Sequence, residues 1–173
     1  MTINLNDVEK EVMEQRKHPR LKGYDYSQGG AYFVTICTRN REKILSRISP
    51  VGPDDPIGPK PVLTQAGEIV KRYILGIEKA YPGITVDQYV IMPNHIHLLL
   101  RFPSTDGGPM GSSGPTLGMV IRGMKRMVTK EVGHSVFQTS FYDHIIRDEA
   151  DYLTKWNYID TNPARWAEDE YFI

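Results

Sequence analysis

The run Met92-Pro93-Asn94-His95-Ile96-His97-Leu98-Leu99-Leu100 holds the residues best suited to chemistry. On a β-strand, side chains two apart project from one face. His95 and His97 therefore point the same way, and Ile96, Leu98 and Leu100 point the other. Two imidazoles side by side can donate nitrogen to one cation; imidazole suits Zn, Mn, Fe, Ni or Cu and joins oxygen ligands around Mg or Mn. His-x-His alone is a short pattern that recurs without function. Register adds weight here, because Leu99 and Arg101 continue the same face and two histidines on an uncovered sheet face serve no packing purpose. A second set lies in Lys155-Trp156-Asn157-Tyr158-Ile159-Asp160-Thr161-Asn162-Pro163. Tyr158 and Asn162 are spaced i, i+4, one turn apart on one helix face, while Trp156 and Ile159 fall on another side and read as core. A tyrosine and an amide so placed are by default a surface pair or a helix-end hydrogen bond.

The elements that must position these groups follow from periodicity. Ala31 to Thr38 alternates β-branched and aromatic residues and predicts a strand. Ala66, Ile69, Val70, Tyr73, Ile74 and Ile77 follow helical spacing, in a helix that starts at Thr64 and that Pro82-Gly83 ends. Strands are expected over Ile84 to Met92 and His95 to Phe102, joined by a turn at Pro93-Asn94. Leu117, Val120, Ile121, Met124 and Val128 mark a second helix, and Tyr142 to Arg147 a short strand. Asp148 caps a last helix, with Tyr152, Trp156 and Ile159 on one stripe, and Pro163 stops it. The order strand–helix–strand–strand–helix–strand predicts an α+β fold. It is a ferredoxin-like (RRM-like) antiparallel sheet with helices on one face, the other face free for a site, and an extra C-terminal helix bearing Tyr158.

With 173 residues, 40% of them apolar and 24% charged, the chain reads as a single globular domain over 1–173. No apolar run approaches the roughly 20 residues of a membrane span, and the first residues lack a secretory pattern. A single cysteine, Cys37, excludes a disulfide framework and a multi-cysteine zinc site; a cytoplasmic protein is expected. Lys+Arg and Asp+Glu both number 21, so net charge names no partner. Local distribution matters more, because a basic stripe on one face can bind phosphates, although any one cluster alone reads as solvated surface charge. A basic arm or helix spans 1–22, Arg39 and Arg41 follow the first strand, and Arg122, Lys125 and Arg126 share a helix. Flexible loops are expected over 49–61 and 103–115, rich in Pro and Gly.

The chain resembles the HUH single-tyrosine transposases, and more closely their REP-associated tyrosine transposase branch. The likeness is carried by Tyr89-Val90-Ile91-Met92-Pro93-Asn94-His95-Ile96-His97, by Val136-Phe137-Gln138-Thr139-Ser140-Phe141-Tyr142-Asp143-His144, and by Tyr158-Ile159-Asp160-Thr161-Asn162-Pro163. It implies that His95 and His97 bind a divalent metal, Mg²⁺ or Mn²⁺, that Asn162 completes the metal site, and that Tyr158 is the nucleophile. The implied activity is metal-dependent cleavage and strand transfer on single-stranded, hairpin or palindromic DNA through a 5′-phosphotyrosine. The alternative is a non-catalytic hairpin-DNA or RNA-binding protein of the same fold. Phe137 departs from the tryptophan that many relatives place before glutamine, and the two Pro/Gly loops are longer than the family core needs.

Several roles can be assigned to the remaining residues on chemical grounds. Arg39, Arg41, Arg122, Lys125 and Arg126 are candidate phosphate contacts, which position a backbone without reading sequence. Tyr24, Tyr26 and Phe141 are candidate stacking platforms. A phenol with a pKa near roughly 10 needs help to attack at neutral pH, and His144, Gln138 and Lys155 are candidate bases. Moving an element with two ends favours a homodimer, whereas hairpin processing permits a monomer. An RNA-recognition module would instead need aromatics where His95, His97 and Leu99 stand, and a hydrolase would use water in place of Tyr158.

Overall fold

The computed structural model describes residues 29–49, 58–103 and 114–172. The expected arm over 1–22, Tyr24, Tyr26 and the central parts of the 49–61 and 103–115 loops lie outside these residues. Four strands form one sheet: β1 (Gly30–Cys37), β4 (Thr85–Ile91), β5 (His95–Phe102) and β6 (Tyr142–Ile145). Their order is β4-β5-β1-β6, and every neighbouring pair is antiparallel. A separate two-stranded sheet pairs β2 (Ser46–Ile48) with β3 (Pro61–Leu63). This hairpin carries no periodic signal, because each strand has three residues and a Pro/Gly-rich stretch lies between them.

Alternation along the strands sorts side chains into two layers. Tyr32, Val34 and Ile36 on β1 join Ile96, Leu98 and Leu100 on β5 in the larger core. Helices α1 (Gln65–Leu75) and α3 (Leu117–Val132) close this core with Val70, Ile74, Val120, Ile121, Met124 and Val128. Each helix starts on a threonine whose hydroxyl takes an orphan backbone N–H: Thr64 from Gly67 and Thr116 from Met119. The single helix expected from Thr64 to Pro82 breaks at Gly76, a weak helix former, and resumes as the one-turn α2 (Ile77–Ala80).

The second face corrects the expectation of an open sheet. Helix α4 (Glu149–Thr161) lies over it, and Phe33, Val90, Met92 and Leu99 form a second core with Ile159, against which Tyr152, Trp156 and Tyr158 pack. Asp148 caps α4 as expected, accepting from the Asp151 N–H at 2.8 Å. Pro163 ends the α-helix, but the chain continues helically as a 3-10 segment over Asn162–Glu168, where proline sits in the first turn and its missing N–H costs nothing.

Gly67 marks the closest approach of α1 to the chain before it. A methyl group there would overlap the Leu45 carbonyl oxygen and meet the Leu63 Cβ at 3.2 Å. Alanine gains about 1 kcal/mol in helix propensity over glycine, while overpacking against fixed backbone costs about 1–3 kcal/mol. Gly67→Ala is therefore expected to lower the urea midpoint; an unchanged or raised midpoint would show that the α1 contact yields freely.

Candidate active site

A tight turn sets the two histidines. The Met92 N–H donates to the His95 carbonyl at 2.9 Å, and β5 then pairs His95 with Cys37 and His97 with Thr35. Both rings face the second core and are buried, at 0% and 1% exposure, with their centroids 4.6 Å apart. Phe33 stacks on His97 at 5.1 Å. The Nδ1 atoms point outward to fixed partners: Asn94 Oδ1 lies 2.9 Å from His95 Nδ1, and Thr35 Oγ1 lies 2.8 Å from His97 Nδ1.

For His95 the outer partner decides which nitrogen is free. The Tyr171 carbonyl can only accept, so the Asn94 amide presents its Nδ2 to it, at 2.7 Å. Asn94 Oδ1 must then accept from His95 Nδ1–H, which leaves the lone pair on Nε2. Among the described residues, the Nε2 atoms of both histidines are buried without a hydrogen-bond partner, as is Asn162 Oδ1. Unpartnered buried polar atoms are uncommon in native proteins. Here three converge.

Helix α4 and the segment after it supply the other groups. The Tyr158 ring lies 5.2 Å from the His97 ring and 5.8 Å from Phe33, edge-on to both. Asn162 donates its Nδ2 to Asp169 Oδ2 at 2.6 Å. That carboxylate oxygen is 3.9 Å from His95 Nε2, and donor atoms of His95, His97 and Asp169 all lie within 4.8 Å of one another. Tyr171 closes over His95 with ring centroids 4.6 Å apart, and the Arg41 guanidinium sits 5.3 Å above the Tyr171 ring.

The electrostatics match a cation site. Burial drives the His95 imidazole down to about 3, with Arg41 acting the same way. Burial also holds His97 well below its usual range, and the charges of His95 and Lys155 add to this. Both rings are thus neutral at pH 7, the form that binds metals. Burial raises the Asp169 carboxyl. Two neutral imidazole nitrogens, one amide oxygen and one carboxylate form a mixed N/O donor set suited to a divalent ion.

No family model matches the chain. An uncharacterized protein of Haemophilus influenzae is 31% identical over 93% of this chain and 95% of its own length. A REP-associated tyrosine transposase of Escherichia coli is 24% identical over 81% of this chain and 70% of its own. The fold is similar to that of a REP-associated tyrosine transposase solved bound to a REP hairpin, with a TM-score of 0.62 and 21% identity, covering 89% of this chain and 76% of that one. The chain is thus related to REP-associated tyrosine transposases.

In this chain His95, His97, Tyr158 and Asn162 come together from elements far apart in sequence. Of the three candidate bases, Lys155 alone lines the small cavity shared by Tyr158, His97, Tyr142 and Tyr171; it is buried, with its ammonium 5.2 Å above the Phe33 ring. His144 is bonded to Asp151 at 2.9 Å instead. Among the basic residues, Arg41 stands beside the site. Arg39 is exposed nearby, and Arg122 and Arg126 are exposed on α3, in the layer across the sheet. Lys125 gives its ammonium to the carbonyls of Gln138, Thr139 and Ser140, at 2.8, 3.2 and 3.0 Å, and so ties down the chain before β6. Phe141 lies half-buried beneath it.

Sequence reasoning missed Asp169, Tyr171, Asn94 and Thr35. Asn94 and Thr35 had a usable signal, since a side chain next to or directly across from a histidine on a strand can hold its Nδ1. Asp169 sat in an acidic run that reads as solvated charge.

The depressed histidines predict a pH effect. Their folded values lie below the unfolded value of about 6.5, so unfolded chains take up protons first as pH falls. Stability is full above pH 6.5 and declines below it, by about 1 kcal/mol per histidine between pH 7.5 and 5.5. Urea unfolding at the two pH values measures the loss, and nitrogen-15 histidine spectra should show two rings still neutral at pH 5.5. All five histidine rings titrating above pH 6 would contradict the burial of these two.

Proposed function

We propose that the protein is a metal-dependent single-stranded DNA endonuclease and strand transferase that cuts hairpin DNA through Tyr158. The observation that carries this reading is the Tyr158 ring lying 5.2 Å from the His97 ring of a buried histidine pair whose Nε2 atoms have no hydrogen-bond partner among the described residues. Support for a hairpin substrate comes from the structurally similar relative, which was solved bound to a REP hairpin. The sheet order is that of a ferredoxin-like fold, with Tyr158 on the added helix.

In this reading His95, His97 and Asn162 hold Mg²⁺ or Mn²⁺, and Asp169 is a further ligand within reach. When bound, such an ion polarises a phosphoryl oxygen and offsets the negative charge that develops there. The protein's own groups do the rest. Asn94 holds His95 in its metal-binding tautomer, and Thr35 orients the His97 ring. The Tyr158 hydroxyl loses its proton, and its oxygen attacks phosphorus as the P–O3′ bond breaks. The departing 3′ oxygen takes up a proton, leaving a 5′-phosphotyrosine and a free 3′-hydroxyl. Attack by a 3′-hydroxyl on that ester re-forms the phosphodiester and returns the phenol, so no nucleotide cofactor is consumed. Because both imidazoles are buried beneath Tyr171, a phosphate reaches them only with that ring displaced. Arg39 and Arg41 flank that entry, while Arg122 and Arg126 lie in the opposite layer and would take a more distant part of the hairpin.

Labelled hairpin oligonucleotides incubated with Mn²⁺ should give a covalent protein–DNA adduct on a denaturing gel. Tyr158→Phe and His95→Ala should abolish it. Cleavage without an adduct would transfer the nucleophile's role to water, and binding without cleavage would leave a non-catalytic hairpin binder.

Metal binding is tested separately. Thr35→Val keeps the side-chain shape but removes the hydroxyl that orients His97. Loss of such an outer partner costs about 10–100-fold in metal affinity, so Mn²⁺ titration followed by electron paramagnetic resonance should show a drop of at least about tenfold. His97→Ala should lose more, and equal affinities in all three proteins would place the ion elsewhere.

A further inference from the structure

We propose that Asp87 and His144 are positioning residues that latch the Tyr158 helix to both edges of its own sheet, and so set the phenol against His97 of the same chain. This rests on the endonuclease reading above. Strands β4 and β6 are the two edges of the sheet, and α4 crosses between them. Adjacent residues of α4 reach opposite edges. Asp151 accepts from His144 on β6 at 2.9 and 3.0 Å and from the Arg147 N–H at 3.0 Å. Tyr152 donates its hydroxyl to Asp87 Oδ2 on β4 at 2.8 Å.

The β4 end is built by an irregularity in the ladder. Val86 pairs with Leu100 and Gln88 with Leu99, which leaves Asp87 as the extra residue of a β-bulge. A bulge re-aims a side chain, and here it turns a carboxylate toward the face on which α4 lies. The same Oδ2 accepts from Arg101 Nε at 2.9 Å and Nη2 at 2.8 Å, while Thr85 holds Oδ1 at 2.7 Å. The Arg101 guanidinium also covers the Tyr152 ring at 5.3 Å. Asp87 is therefore held by three contacts from two residues, Arg101 and Thr85, besides the tyrosine.

Helical spacing carries this constraint to the site. Asp151, Lys155, Tyr158 and Asn162 follow i, i+4, i+7, i+11, one stripe of α4, and Tyr152, Trp156 and Ile159 form the neighbouring stripe. Pinning both stripes at one end fixes the helix against rotation about its axis. Tyr158 lies seven residues from Asp151, about 10 Å along a helix, close enough for a rigid element to pass on that setting.

Tyr152→Phe removes one hydroxyl and keeps the ring, Asp87→Ala removes the acceptor, and His144→Ala opens the other edge. Single-turnover adduct formation at saturating hairpin should slow by about 10–100-fold in each, as for a misplaced reacting group, with half-saturating hairpin concentration unchanged. Amide exchange should rise across residues 149–161 and stay unchanged across 117–132. Asp87→Asn, which retains an acceptor for Tyr152, should recover part of the rate, and Tyr152→Phe with Asp87→Ala should cost no more than either alone. Unchanged rates, unchanged exchange in 149–161, or exchange raised equally throughout the protein would overturn the latch. Absence of any adduct in the unaltered protein would instead sink the endonuclease reading, and the exchange measurement would still decide the latch.

Discussion

A buried nitrogen without a hydrogen-bond partner costs a protein about 1–3 kcal/mol, and among the described residues two such atoms, on rings 4.6 Å apart, stand at the centre of this one. Neither can turn to escape the cost. Each ring is held through its other nitrogen, by Asn94 and Thr35, and Phe33 stacks on His97 from the side. The antiparallel pairing of β1 with β5 places Thr35 directly across from His97, so the same ladder that makes the sheet also orients the imidazole. Much of the second face follows from this constraint. Asn162, Asp169 and Tyr158 come from beyond the sheet to surround the paired nitrogens, and the histidines stay neutral because burial leaves a charged ring no water.

The parts of this arrangement that depend on spacing within one element were legible in the sequence. A period of two put His95 and His97 on one face, helical spacing put Asn162 one turn beyond Tyr158, and Asp148 announced the start of α4. The main core was readable for the same reason, since Ile96, Leu98 and Leu100 share a face and the stripes of α1 and α3 are regular. Contacts that depend on how elements meet were not readable. Asp169 lies 74 positions after His95 and is brought to it only by the turn that follows Pro163. The bulge at Asp87 has no sequence pattern of its own, and the β2–β3 hairpin is too short to show a period.

The expectation of a free sheet face failed for an instructive reason. Leu99 shares the histidine face, and Phe33, Val90 and Met92 supply the rest of an apolar surface there. A sheet with apolar residues on both faces must be covered on both, and α4 brings the matching stripe of Tyr152, Trp156 and Ile159. Basic residues show the converse. Lys125 looked equivalent to Arg122 and Arg126 by position on one helix, yet it alone lies over the chain before β6, where three carbonyls take its donors. Type and spacing give the face of a helix; only the neighbouring chain decides whether a cation there meets solvent or backbone.

The polar bonds at the sheet edges answer a weakness of α4 itself. Only Lys155 and Ile159 are buried along this helix, against six residues of α3. Apolar burial contributes roughly 25 cal/mol per Å² and has no direction, so a helix with a narrow buried stripe is held down without being held in one rotation. Hydrogen bonds supply the missing direction because they weaken steeply off-axis. Asp87 and His144 stand at opposite edges, and α4 meets both with consecutive residues, so a rotation that shortened one bond would lengthen the other. The aromatic contacts of Tyr158 with His97 and Phe33 tolerate sliding far better than these bonds do. The precision of the phenol's placement therefore comes from the edges of the sheet, several residues away from the reacting atoms.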